Sequence, residues 1–171
     1  MSISLSFIED TEKIENRQKC LEYLGKHQVD VGLTSKASGR SKFLLAIHTH
    51  GAPVMRIPPR PVVQPALHQG DVQADMQEHA LEACEAACEG DLAAVSGAYE
   101  AIGQAGVDGI HKYIDAGIPP PNSPVTLSGG WIYNRVAHCG VYVGGKSGSK
   151  PLIDTGQLYN DFDFDVVASK S

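Results

Sequence analysis

The sequence predicts an α+β fold, in which a small antiparallel or mixed sheet packs against two longer helices and a proline-rich arm lies extended. Three observations carry this. Val29, Val31 and Leu33 alternate with Gln28, Asp30 and Gly32, and near the C-terminus Phe162, Phe164, Val166 and Ala168 alternate with Asp161, Asp163, Asp165 and Val167; both show the two-residue period of a half-buried strand. Leu92, Val95, Tyr99, Ile102, Gly106, Ile110 and Tyr113 recur at three-four spacing, the stripe of a long helix. Five prolines fall between Pro53 and Pro65, which excludes a regular helix and a central strand there. The chain has 171 residues, 42% of them hydrophobic and 20% charged, as expected of one domain spanning residues 1–171.

In chain order, Ile14, Arg17, Leu21 and Leu24 predict an amphipathic helix between Thr11 as N-cap and Gly25 as stop. A strand follows over residues 27–34. Residues 35–42, SKASGRSK, lack apolar periodicity and read as a flexible loop. FLLAIHTHGA, from Phe43, reads as a brief helix ended by Gly51 and Pro53, and residues 53–65 form the arm. Val72, Met76, Ala80, Ala83 and Ala87 mark one face of a helix from Asp71 to Glu89, and the long helix begins after Gly90. Gly97, Gly103, Gly106 and Gly109 would each cost about 1 kcal/mol in an isolated helix, so close packing is expected along that segment. Gly117 and Pro119 end it. Residues 127–150, rich in glycine and serine around the apolar islands WIY and VYV, read as a hairpin or a mobile loop.

Fourteen Lys and Arg against twenty Asp and Glu give a formal net charge of -6, which disfavours a conventional nucleic-acid clamp. Cys20, Cys84, Cys88 and Cys139 are too few and too scattered for a disulfide scaffold and fit free thiols in a reducing cytoplasm. The N-terminal residues lack the basic and apolar runs of a secretion signal or membrane anchor.

Several segments look like chemistry. GVYVGGKS, from Gly140 to Ser147, matches a phosphate-binding loop, yet Gly148 and Pro151 stand where the helix that cradles phosphate would begin. LIDTG, from Leu152 to Gly156, has the form of an aspartic-protease loop, but a second carboxylate and the strands to hold it are missing after it. An N-cap at Asp154 and a turn that starts a short helix, with Thr155 and Gly156 shaping the turn, is the simpler account. His48, His50, His68, His79, Cys84 and Cys88 raise the question of a metal, without a CxxC or HExxH pattern. A small hydrolase using LIDTG or GGKS and a metal-binding module are therefore the alternatives to a protein without a catalytic, cofactor or metal site.

Three further groups suggest contacts. Arg60, between Pro59 and Pro61, holds five donors on a stiff segment and suits bidentate contact with a carboxylate or with the carbonyls of an adjoining element. Lys36, Arg40 and Lys42 form the one short cluster of single sign, fit to meet an acidic neighbour or to touch DNA transiently. Asp161, Asp163 and Asp165 should form one hydrated face of the terminal strand, towards solvent, a lumen or a basic partner.

Read in order, VDVGL, then AIHTHGAP with IPPRPVVQPAL, then DAGIPPPNSPVTL, then KPLIDTGQLYNDFDFDVV resemble the neck or tail-completion proteins of tailed bacteriophages, the virion-morphogenesis type that joins head to tail. In such proteins the first segment looks like a strand, the second like a short helix leading to an arm with a PxRP signature, and the last like a turn, a short helical piece and a terminal strand. Tyr159 and Asp161 stand where that family commonly has a basic residue and a serine, and residues 131–145 look like an addition. The resemblance implies a noncatalytic subunit of a homo-oligomeric ring, hexameric or dodecameric, in the virion neck or at the head-proximal end of the tail. Assembled in the host cytoplasm, it would meet connector, stopper, tail terminator or tube proteins, let DNA pass, and need neither cofactor nor membrane. Arg60, Pro61, Lys36, Arg40, Asp154, Thr155 and Gly156 are then candidate assembly residues.

Overall fold

The computed structural model describes residues 10–53, 57–121, 124–134, 137–145 and 156–169. Its elements run α1 (Thr11–Lys26), β1 (His27–Gly32), α2 (Gly39–His50), α3 (Val63–Leu67), α4 (Gly70–Glu89), α5 (Leu92–Ala116), α6 (Pro124–Ser128), β2 (Gly130–Asn134), β3 (Cys139–Val143), α7 (Gln157–Asn160) and β4 (Asp163–Ala168). This is an α+β fold with two small antiparallel sheets, β1 with β4 and β2 with β3.

Helix α5 is the axis of the fold. It packs along α4, under the β1–β4 sheet and against α3, so its buried residues are not confined to one stripe: Val95, Ala98, Ala105, Val107, Ile110 and Ile114 are all inside. The glycines permit this. A Cβ at Gly103 would lie within the Phe164 ring of β4, one at Gly106 would come 3.0 Å from Val31 of β1, and one at Gly109 would come 2.7 Å from Val72 of α4. Sheet and helix thus approach α5 more closely than any larger residue would allow. Gly97 differs from these three, having open space around it.

In the sheet, Val29 faces Val166 and Val31 faces Phe164, while Asp30 faces Asp165 on the other side of the ladder. The apolar pairs lie on α5 and the acidic pair points away, as the alternation requires.

Several boundaries differ from the sequence expectation. Asp10, not Thr11, caps α1 by accepting the Lys13 amide, and the helix continues through Gly25 to Lys26. The buried line of α1 is Cys20 with Tyr23 and Leu24, against Ala86, Ala87 and Val95, and Ile14 and Leu21 are exposed. The expected loop over 35–42 is shorter, because Ser38 accepts the Ser41 amide at 3.1 Å and starts α2 at Gly39. Likewise the arm ends at Val62: Pro65 lies in the first turn of α3, where a missing amide proton costs no helical bond. Ala80 of α4 and Leu92 of α5 are exposed, and Ala86 takes the inward place on α4.

Candidate functional site

The proline arm holds to its own chain. Arg60 is only 6% exposed; its Nε donates to the Pro120 carbonyl at 2.7 Å and its Nη2 to the Pro121 carbonyl at 3.0 Å. The Arg60 amide donates to the His48 carbonyl, tying the arm to the end of α2. Burial pushes the guanidinium pKa down from its ordinary value. The expected two-point contact is therefore made with carbonyls of the same chain, while Pro61 beside it is exposed.

On the same side of α5, Val62, Ala66, Ile110, Ile114, Ile118, Leu158 and Phe162 form one buried cluster, with Val31, Leu33, Leu44 and Leu45 packed on it. His111 of α5 stacks on Tyr159 with ring centroids 4.1 Å apart and donates from Nε2 to the Tyr159 carbonyl at 2.9 Å; the Tyr159 hydroxyl donates to Asp115 at 3.0 Å. These bonds fasten α7 to α5. The expected short helix is there, but its expected Asp154 N-cap is corrected: Gly156, with φ at 74° in the left-handed region, is itself the N-cap of α7, and no side chain caps the helix. Asp154 and Thr155 lie outside the described residues, as do Lys146 and Ser147 of the phosphate-loop match.

The three aspartates of the terminal segment divide. Asp161 precedes β4 and accepts the Ser38 amide at 3.1 Å; hydrogen bonds from Ser41 and from that amide hold its carboxyl below the usual carboxylate range. It serves the start of α2, where carboxylates are favoured. Asp163 and Asp165 remain on the outer sheet face, where Lys36 pairs with them at 3.2 and 3.4 Å. The Phe164 amide, and then Lys36, lower the Asp163 pKa, and the Lys36 ammonium pKa is raised in return by Asp163 and Asp165. The expectation of one shared face for all three is corrected: only Asp163 and Asp165 share it, joined by Asp30 of β1. Lys36 of the basic cluster meets an acidic partner within its own chain, and Arg40 is exposed in the first turn of α2.

Two open depressions of about 300 and 250 Å³ flank this face. The first runs along Asp30, Thr34, Lys42 and Asp165, the second along Lys36, Asn160, Asp161 and Asp163. Neither brings a nucleophile, a base and an orienting group into one place.

The other motifs separate as well. Residues 140–143 of the phosphate-loop match are strand β3, paired residue for residue with β2, so their backbone bonds are spent on a ladder and not on a phosphate cradle. Among the described residues no three His, Cys, Asp or Glu side chains converge to hold a metal, and Cys84, Cys88 and Cys139 are exposed free thiols. No described helix is long and apolar enough to cross a membrane.

Sequence reasoning passed over the surface of the β2–β3 hairpin. Trp131, Ile132, Tyr133, Val141 and Tyr142 are all exposed on it, and Trp131 meets Tyr142 edge-on across the strands. The signal was present in the islands WIY and VYV. Comparison with family models, with characterised proteins and with solved structures found no match.

Proposed function

We propose that this chain is a noncatalytic structural subunit of a bacteriophage neck or tail-completion ring, in contact with copies of itself and with neighbouring connector, stopper, tail terminator or tube proteins, through which genomic DNA passes. One observation carries the reading. The four segments on which the resemblance rests lie far apart in the chain, yet all meet at a single buried cluster: Val62 and Ala66 from the second, Ile118 from the third and Leu158 and Phe162 from the last are in it, and the half-buried Val31 and Leu33 from the first pack on it. They form one packing unit around Ile110 and Ile114, so what resembles the family is a cooperative piece of structure and not a set of unrelated surface strings.

The electrostatics agree with the role. Phosphate sticks to proteins through Lys and Arg, and the outer sheet face sets three carboxylates, Asp30, Asp163 and Asp165, against Lys36, with Lys42 at its rim. A wall of that kind lets DNA move without holding it.

Deleting the gene from the phage genome that carries it tests the reading. Lysates should then contain filled heads and separate tails, and joining should return when the wild-type chain is supplied. Normal tailed particles in its absence would overturn the assignment.

A further inference from the structure

We infer that the β2–β3 hairpin of one copy of this chain docks on the outward face of α4 of a second copy, which deepens the ring reading by naming the surfaces that join its subunits. The hairpin is the least supported part of the described molecule: apart from α6, no element packs substantially against it. Trp131 is 74% exposed. An isolated two-stranded hairpin is marginal in water, and large apolar side chains clustered on one are a mark of an interaction surface.

Charge selects the occupant. Residues 116–153, which contain the hairpin, carry Arg135, Lys146 and Lys150 and no Asp or Glu. The rest of the chain keeps eleven Lys and Arg against all twenty acidic residues. Helix α4 is the extreme of that remainder, with Asp71, Asp75, Glu78, Glu82, Glu85 and Glu89 and no Lys or Arg.

Shape agrees with charge. Val72, Ala83, Ala86 and Ala87 of α4 face inward, which leaves Leu81, Cys84 and Cys88 as an exposed stripe at helical spacing, bordered by the exposed Glu78 and Glu85. Leu81 is 66% exposed. An apolar stripe between carboxylates is the complement of an aromatic hairpin in a segment with basic charges only. The two surfaces are different parts of one chain, which permits copies to join head to tail, the contact that closes into a ring when the rotation per subunit allows it.

Trp131 is the only tryptophan, so its emission reports directly on whether the hairpin is covered. For the purified full-length chain, emission should be blue-shifted at high concentration and move red on dilution, with the midpoint at which sedimentation shows the oligomer dissociating. Glu78→Lys with Glu85→Lys, and separately Tyr142→Ser, should each move that midpoint at least about tenfold higher in concentration, with helical circular dichroism unchanged. A chain that is monomeric at every concentration, an oligomer whose Trp131 emission stays red, or a midpoint indifferent to the α4 charge reversal would each overturn the inference. Association of this kind in a phage that joins heads to tails without the gene would support the contact and sink the neck assignment; unjoined heads with Trp131 exposed in the assembled ring would do the opposite.

Discussion

The α5-centred core and the β2–β3 hairpin are built from similar residues and are stabilised in opposite ways. Around α5, modest side chains such as Val62, Ala66, Ile110 and Phe162 are buried to 4% exposure or less, because glycines on the helix let the sheet and α4 come close. In the hairpin, Trp131, Ile132 and Val141 are just as apolar, yet they remain in water. Burial follows from what the chain can bring to a residue, not from how apolar that residue is. The core is thus complete within one chain, and the hairpin keeps large apolar side chains in water, the surface we propose a second copy covers.

The sharpest way to break this contrast is to open the core. Ile110→Ala should cost about 2 to 5 kcal/mol, because removing a fully buried side chain of the cluster leaves a cavity; urea denaturation of the monomeric chain measures it. A loss well below that range would mean the cluster is not the stabilising unit. Arg60→Ala comes next at about 2 kcal/mol, from the charge-assisted bonds to Pro120 and Pro121. Arg60→Lys should restore only part of it, since an ammonium cannot reproduce the planar fork; full recovery would reduce Arg60 to packing.

Acid should loosen one side of the core selectively. Asp161 and Asp163 have folded pKa values below their ordinary ones, so the stability they supply is fully present above their unfolded pKa, about 4, and is lost as pH falls through the folded values. Amide protection factors in α2 and β4 should fall below about pH 4 before those in the C-terminal half of α4, away from the lowered carboxyl of Asp71 at its start, do. Simultaneous loss everywhere would show that these carboxylates do not hold α2 and β4.

Smaller effects sharpen the other side. Lys36→Ala should leave the urea unfolding midpoint close to that of wild type, because an exposed ion pair contributes little. Trp131→Ser should leave the unfolding of the monomer within about 0.5 kcal/mol of wild type, whatever it does to association. A marked destabilisation of the monomer would place the hairpin among the structural elements and erase the contrast.

By itself the sequence determined the class of fold, the two long helices, the in-out alternation of the terminal strand and the two-point reach of Arg60. These follow from local periodicity and from the geometry of a planar donor on a proline-stiffened segment, which need no knowledge of neighbours. Tertiary structure alone decided which face of α1 is inside. Of the expected line Ile14, Arg17, Leu21 and Leu24 only Leu24 turns inward, because α4 and α5 meet the helix along Cys20, Tyr23 and Leu24, since packing rewards the line that fits and not the line that is greasiest. It also decided that Arg60 bonds within its own chain, and that Asp161 leaves the acidic face to serve Ser38 and the start of α2. Those partners are 60 and 123 residues away in the chain, a separation at which no spacing rule operates, and only the folding of the whole around α5 brings them together.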